Sequence, residues 1–309
     1  MATDDLHVNI SGNNRKDGGN RKDGGVAAAW LMPHPPVVVP EVGRGRERDI
    51  ADTLNSMRLA ADSIVRRQTD VVILVSPHAP ASADRILING DGALAGSLAQ
   101  FGASGARVEF ASDGGLAAAI RDESAACGIK ADLRGAAAPY GSARGAGGVS
   151  GLDHGAVVPL YFIAEALKKS TAAPPKLVVI SVAYLDNDDL FRFGGCVARA
   201  ARKAGKTAAF IASGDLSHKL TADGPYGYDP AGPEFDKHLI DCILQRDVAR
   251  LLKTDEYFME KAAQCGFYGL AMLYGAACEM RGPELAGCEP RVYSYEGTFG
   301  VGYAIAEIL

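Results

Sequence analysis

The chain has 309 residues, with 32 Lys and Arg against 37 Asp and Glu, a net charge of -5, and 48% hydrophobic residues. That composition is ordinary for a globular protein, and the length allows one large α/β domain or two small ones. The acidic balance argues against a dedicated nucleic-acid binder, which shows a basic excess or stripe. No stretch reaches the ~20 consecutive apolar residues of a membrane-spanning helix.

The N-terminus is polar and lacks the apolar core of a secretory signal. Within it NRKDGG occurs twice in tandem, from Asn14 to Gly25. A charged, Gly-rich repeat without apolar residues cannot offset its ordering entropy, so residues 1–26 are expected to be a disordered tail and 27–309 the folded domain. The six cysteines form no CxxC pair. They read as reduced thiols of a cytoplasmic protein.

From Ala27 strand and helix patterns alternate. AAAWLM (27–32) is a short apolar run closed by Pro33. Ile50, Leu54, Met57, Ala61 and Ile64 recur at helical spacing within 44–67. DVVILVSPH (70–78) has the β-branched content of a buried strand. Residues 114–127 and 157–169 carry helical patterns. KLVVISV (176–182) is a second buried strand, followed by a helix over 188–203, and TAAFIASGD (207–215) repeats the design of a strand ending in a turn. Residues 234–280 are mostly helical, and 291–308 read as closing strands. The pattern predicts an α/β fold, a single three-layer domain with a central mixed sheet flanked by helices. GSARGAGGVSG (141–151) interrupts it and is a candidate mobile lid.

Three histidines follow one pattern of apolar strand, small or Pro residues, then His: His34 in WLMPHPP, His78 in VVILVSPHAP and His218 in AAFIASGDLSH. Strand ends gather on one edge of an open α/β sheet, so these side chains can converge. His154, in GLDHGAVVPL, falls at a helix start that Asp153 would cap. One His after a strand is commonly structural; four in such positions point to a site. Neutral imidazoles are common ligands of Fe(II), Zn(II) and Cu, and further histidines beside a metal serve as general base and hydrogen-bond donor. No HExxH helix, phosphate loop or GxSxG elbow occurs. Asp215 reads as a turn residue that also orients His218. Tyr226 and Tyr228 are candidate pocket walls, and Ser213 and Ser217 read as turn hydroxyls.

The motifs MPHPPVVVPEVG, SPHAP, LDHGAVVPLYF, FIASGDLSHKL, GPEFD, AAQCG and SYEGTFGVGYA span most of the chain. Together they resemble the catalytic-subunit superfamily of class III extradiol ring-cleavage dioxygenases, in the AmmeMemoRadiSam-associated, Memo-like branch. The resemblance implies a mononuclear non-haem Fe(II) site with His34 and His78 as ligands. It also implies His218 as acid/base catalyst and His154 as an assisting pocket residue. A catechol-type aromatic diol and O2 would be the partners, and a homo-oligomer is left open.

The chain departs from the ring-cleaving pattern at the third ligand. Ala271 or a neighbour stands where those enzymes supply a Glu from a helix near the C-terminus. Two residues are candidates for the vacant role. Cys265 matches a metal-approaching Cys of the Memo-like branch, and Glu296 in SYEG is a carboxylate from a closing strand. A thiolate would favour softer or redox-active metals, Zn or Cu, over a two-His, one-carboxylate Fe(II) centre. Two functions therefore remain open at this point. One is Fe(II)-dependent extradiol cleavage; the other is a Memo-like metal-binding protein with a redox or partner-binding role and no ring cleavage.

Overall fold

A strand that is apolar at every position must be covered on both faces, and VVILVS (71–76) is buried at all six residues. The computed structural model describes residues 24–90, 92–134 and 149–309, and there this strand lies inside an eight-stranded sheet. The first half of the chain holds β1 (Gly25–Met32), α1 (Pro40–Gly43), α2 (Ala51–Arg66), β2 (Val71–Ser76), β3 (Ile86–Asn89), β4 (Ala93–Leu98), β5 (Ala103–Ala111), α3 (Gly114–Ala126) and β6 (Ala131–Leu133). After it come β7 (Val149–Gly151), α4 (His154–Lys168), β8 (Lys176–Ser181), α5 (Asn187–Lys203) and β9 (Thr207–Ser213). The helices α6 (Ala231–Gln245), α7 (Val248–Leu252), α8 (Glu256–Ala262) and α9 (Phe267–Arg281) follow, then β10 (Arg291–Glu296) and β11 (Tyr303–Glu307).

The main sheet runs β10-β11-β1-β9-β2-β8-β3-β6. Its centre, β1, β9, β2 and β8, is parallel, while β11 pairs antiparallel with β1 and β3 antiparallel with β8. Period-two alternation splits the core in two. Val71, Ile73 and Val75 pack with Phe193 and Met272 of α5 and α9 on one face. Val72 and Leu74 pack with Met57 and Val158 of α2 and α4 on the other. This is the three-layer α/β domain with a mixed central sheet that the alternating pattern predicts. No helix among the described residues is long and apolar enough to cross a membrane.

The structure shifts several boundaries. Gly25 and Val26, placed by sequence in the tail, pair with Thr207 and Ala208 as the first residues of β1; the rest of the expected tail, 1–23, lies outside the described residues. The Gly25 amide donates to the Lys206 carbonyl, a ladder bond that needs no side chain. Of the candidate lid, 141–148 lies outside the described residues, and Val149–Gly151 is strand β7, parallel to β4. In the helix expected over 44–67, Arg44 and Gly45 take positive φ, Arg46–Ile50 form a short 3-10 helix, and α2 starts at Ala51. β4 and β5 had no counterpart in the sequence reading. With β7 they form a small second sheet beside α4, and β5 alternates buried and exposed residues along much of its length.

α5 and α9 touch backbone to backbone. A Cβ on Gly194 would lie 1.8 Å from the Met272 carbonyl oxygen, and one on Gly275 would lie 1.8 Å from that of Phe191. Gly194→Ala is therefore expected to lower stability by about 1–3 kcal/mol, the usual cost of overpacking. Urea unfolding measures it, and an unchanged midpoint would show that the two helices can separate without loss.

Candidate metal centre

Because β1, β9 and β2 are adjacent and parallel, the loops leaving their C-terminal ends meet at one edge of the sheet. His34 follows β1, His78 follows β2, and Asp215 and His218 follow β9. The β1 and β9 loops are tied by the Gly214 amide donating to the Met32 carbonyl at 3.0 Å. His154 is the first residue of α4 and enters from the side. Asp153 caps that helix by accepting from the Ala156 amide, and it also accepts from the Ser76 hydroxyl at 2.6 Å, which fixes α4 to the end of β2.

A relay of hydrogen bonds sets the proton on His34. The Ser213 hydroxyl donates to the Gly155 carbonyl at 2.5 Å, so its oxygen must accept from His34 Nδ1 at 2.9 Å. Nδ1 therefore carries the hydrogen and Nε2 is bare. That bare nitrogen faces His78 Nε2 at 3.0 Å. His154 stacks on His78 with ring centroids 4.3 Å apart. His218 is oriented separately. Its Nδ1 donates to the Ala263 carbonyl, so Nε2 is the ring nitrogen left for the site. The Tyr226 ring stands edge-on to His218 at 5.2 Å, whereas Tyr228 is paired in a backbone bridge with Leu220.

Cys265 precedes α9 and lies in the site, its sulfur 3.7 Å from His34 Nε2 and accepting from the Asp215 amide at 3.3 Å. A backbone contact puts it there. A Cβ on Gly214 would fall 2.2 Å from the Gly266 Cα, so only two glycines let these turns touch. Asp215 Oδ1 accepts from the His34 amide at 2.8 Å, and Oδ2 lies 3.9 Å from His34 Nε2. Two sets of potential donor atoms each fall within 4.8 Å of one another: His34, His78 and Cys265, and Asp215, His218 and Cys265.

Glu296 lies elsewhere. Its Oε2 accepts from both the amide and the hydroxyl of Thr53, at 2.6 and 2.5 Å. The first amides of α2 have no intrahelical partner, so a carboxylate supplied by β10 caps that helix. Ala271 is fully buried within α9 and offers no ligand.

Burial decides the charges. His34 is held well below the ordinary imidazole value, first by desolvation and then by His78 and His154. Desolvation also lowers His154. His78 is exposed overall, but its Nε2 is turned inward; desolvation and His154 lower it. All three rings are therefore neutral near pH 7, the form that binds metals. Burial pushes Asp215 up, against the pull of His218, and pushes the Cys265 thiol well up, helped by the Asp215 charge. A carboxylate and a thiolate are costly in this setting unless a cation joins them. The donor set thus fits a metal ion. Donors at about 2.0–2.3 Å from one ion stand roughly 3–4 Å apart, as His34 does from His78 at 3.0 Å and from Cys265 at 3.7 Å. A cavity of about 640 Å³ opens beside Asp215, walled by Val37, Phe101 and Phe299, with Arg46 over the Phe299 ring.

Fold and site together define the class, an α/β protein with a histidine-rich sheet edge whose donor atoms could hold a metal ion. The chain belongs to the family described as the catalytic LigB subunit of aromatic ring-opening dioxygenase, which matches residues 28–306. It is 36% identical over 279 residues to Protein CA_C1420 of Clostridium acetobutylicum, covering 90% of this chain and 56% of that one. The chain thus spans little more than half the length of that relative. A MEMO1 family protein of Methanococcoides burtonii is 31% identical over 104 residues, 34% of this chain and 36% of that protein. Among solved structures, the uncharacterized protein JW3007 from Escherichia coli K12 shares the fold, with TM-score 0.54 and 13% identity over 91% of this chain and 99% of that one.

Two residues do more here than the sequence shows, Ser213, which reads there as a turn hydroxyl, and Asp236. Ser213 is the relay that fixes the His34 tautomer. Asp236, inside the quoted motif GPEFD, accepts from the Ser217 amide at 2.7 Å and from the Tyr295 hydroxyl at 2.8 Å, and so holds the turn that carries His218. Only its place in a motif marked it. Burial raises Asp236 to about 7 from 3.8. The folded state thus binds this proton more tightly than the unfolded state. The corresponding stability is complete below about pH 4 and is lost as pH rises through about 7. Asp236→Asn removes that loss, so its stability relative to wild type should improve between pH 4 and 7. Urea midpoints at several pH values would show it, and parallel curves would contradict it.

Proposed function

We propose that this chain is a non-haem Fe(II)-dependent dioxygenase that opens a catechol-type aromatic diol with O2. The observation that carries the reading is the facing pair of imidazole nitrogens, His34 Nε2 and His78 Nε2 at 3.0 Å, with the Cys265 sulfur and His218 close by. His34 and His78 would hold the ion, with Asp215 and Cys265 as the anionic groups in reach. Family membership supports a dioxygenase-like site in general.

A bound Fe(II) would supply open coordination positions for the diol oxygens and O2. The remaining work belongs to side chains. The His218 ring, with Nδ1 donating to Ala263, presents Nε2 to take a phenolic proton and return it later. His154, stacked on His78 and edged at 5.5 Å by Phe101 of the cavity wall, can donate to a substrate oxygen. The apolar walls Val37, Phe101 and Phe299 receive the ring and keep water off it.

A second reading is favoured by one distance, the 3.7 Å between Cys265 Sγ and His34 Nε2. A thiolate at that place suits a Memo-like metal protein holding Zn or Cu, without ring cleavage.

Anaerobic Fe(II) loading followed by a catechol panel at an oxygen electrode separates the two. For dioxygenase activity, wild type consumes O2 with at least one diol, and His218→Ala keeps its metal while losing about 10²–10⁴-fold in rate. No uptake above the His218→Ala control with any diol would reject ring cleavage. Retention of the metal by wild type and its loss in Cys265→Ser would then favour the thiolate reading.

A further inference from the structure

Away from the metal centre, two thiols meet across one guanidinium. Cys127 closes the C-terminus of α3, and Cys196 lies in the middle of α5. Arg199 Nη2 donates to both sulfurs, at 3.1 Å to Cys127 and 3.2 Å to Cys196. That nitrogen has two hydrogens, so each sulfur takes one. The guanidinium is itself fixed. Its Nη1 donates to Glu279 on α9 at 2.6 Å, and its Nε lies 3.6 Å from Glu123 on α3. Arg192 pins the Cys127 carbonyl from one turn earlier on α5 at 2.5 Å. Neither thiol takes part in the site described above.

We propose that Cys127 and Cys196 are a redox-modification site, closing reversibly to a disulfide on exposure to a hydroperoxide. The two residues differ as attacking and resolving thiols do. Cys127 is half-buried and reachable, and Cys196 is fully buried. Burial, together with a hydrogen bond to the Cys127 sulfur, pushes Cys196 up to about 12, which keeps it a thiol until it has something to attack. The Arg199 guanidinium fixes the accessible sulfur in place by donating to it.

The chemistry balances. The Cys127 thiolate attacks one peroxide oxygen, the O–O bond breaks, and the departing oxygen leaves as water or an alcohol after taking a proton. Cys127 is then a sulfenic acid. The Cys196 sulfur attacks it, an S–S bond forms as the S–O bond breaks, and the Cys196 proton leaves with the hydroxyl as a second water. The two thiols lose two electrons and the hydroperoxide gains them; a dithiol reverses the change. The product staples the end of α3 to α5. Both sulfurs contact the same nitrogen, and Cys127 sits at a helix terminus, where the chain can adjust to the geometry that an S–S bond of about 2.05 Å requires.

The test treats the full chain with hydrogen peroxide, alkylates free thiols, digests it and analyses the peptides by mass spectrometry. The expected product is a linked Cys127–Cys196 peptide pair, absent after dithiothreitol and absent in Cys127→Ser and Cys196→Ser. Arg199→Gln should slow its formation roughly ten-fold while far-ultraviolet circular dichroism confirms a folded chain. Two results would overturn the proposal. One is that Cys127 and Cys196 both remain alkylatable at peroxide doses that oxidise Cys265. The other is that Cys127 advances to sulfinic acid without ever linking to Cys196.

Discussion

Two imidazole nitrogens held 3.0 Å apart can share one proton or one cation, but they cannot both carry hydrogens. The surrounding structure serves to keep His34 and His78 in that relation. Ser213 and the Gly155 carbonyl settle which nitrogen of His34 is bare. The Asp215 carboxylate anchors the His34 backbone, and Ser76 and Asp153 lock the end of β2 against α4. Burial then lowers the basicity of each ring, so protons compete poorly for the site. Neutral rings packed around the buried His34, with a thiol and a carboxylate beside it, are unfavourable as separate charges and favourable around a cation.

The sheet makes this arrangement possible. The parallel order β1-β9-β2 brings three loops, far apart in the chain, to neighbouring strand ends. Gly214 against Gly266 then draws the start of α9 into the same place, which is how Cys265 joins residues that precede it by as much as 231 positions. Helix α2 draws Glu296 the other way, since its first amides need an acceptor and Thr53 offers two donors to one oxygen. That carboxylate is held at the helix terminus by the Thr53 amide and hydroxyl.

Much of this is legible in the sequence because strand ends carry their own signals. Continuous apolar runs mark β2, β8 and β9, and the His after each of three strands marks the edge where they converge. What is illegible depends on contacts without a local signature. The β4–β5 hairpin is built of small residues, Ala, Gly and Ser among them, which resemble loop as much as strand. Where Cys265 and Glu296 lie depends on a glycine contact and on a cap, both made between segments distant in the chain. Ser213 reads as a turn hydroxyl because its role exists only once Gly155 of α4 accepts its proton. The pairing of Cys127 with Cys196 is likewise a property of packed helices, invisible in cysteine spacing.

The central claim is that one metal ion is held jointly by His34 and His78. X-ray absorption of the anaerobically Fe(II)-loaded chain tests it most directly. The account predicts one ion per chain with at least two imidazole nitrogens at about 2.0–2.2 Å, and loss of bound metal in both His34→Ala and His78→Ala. Full metal occupancy with no imidazole in the coordination shell, or binding unchanged in both variants, would contradict it.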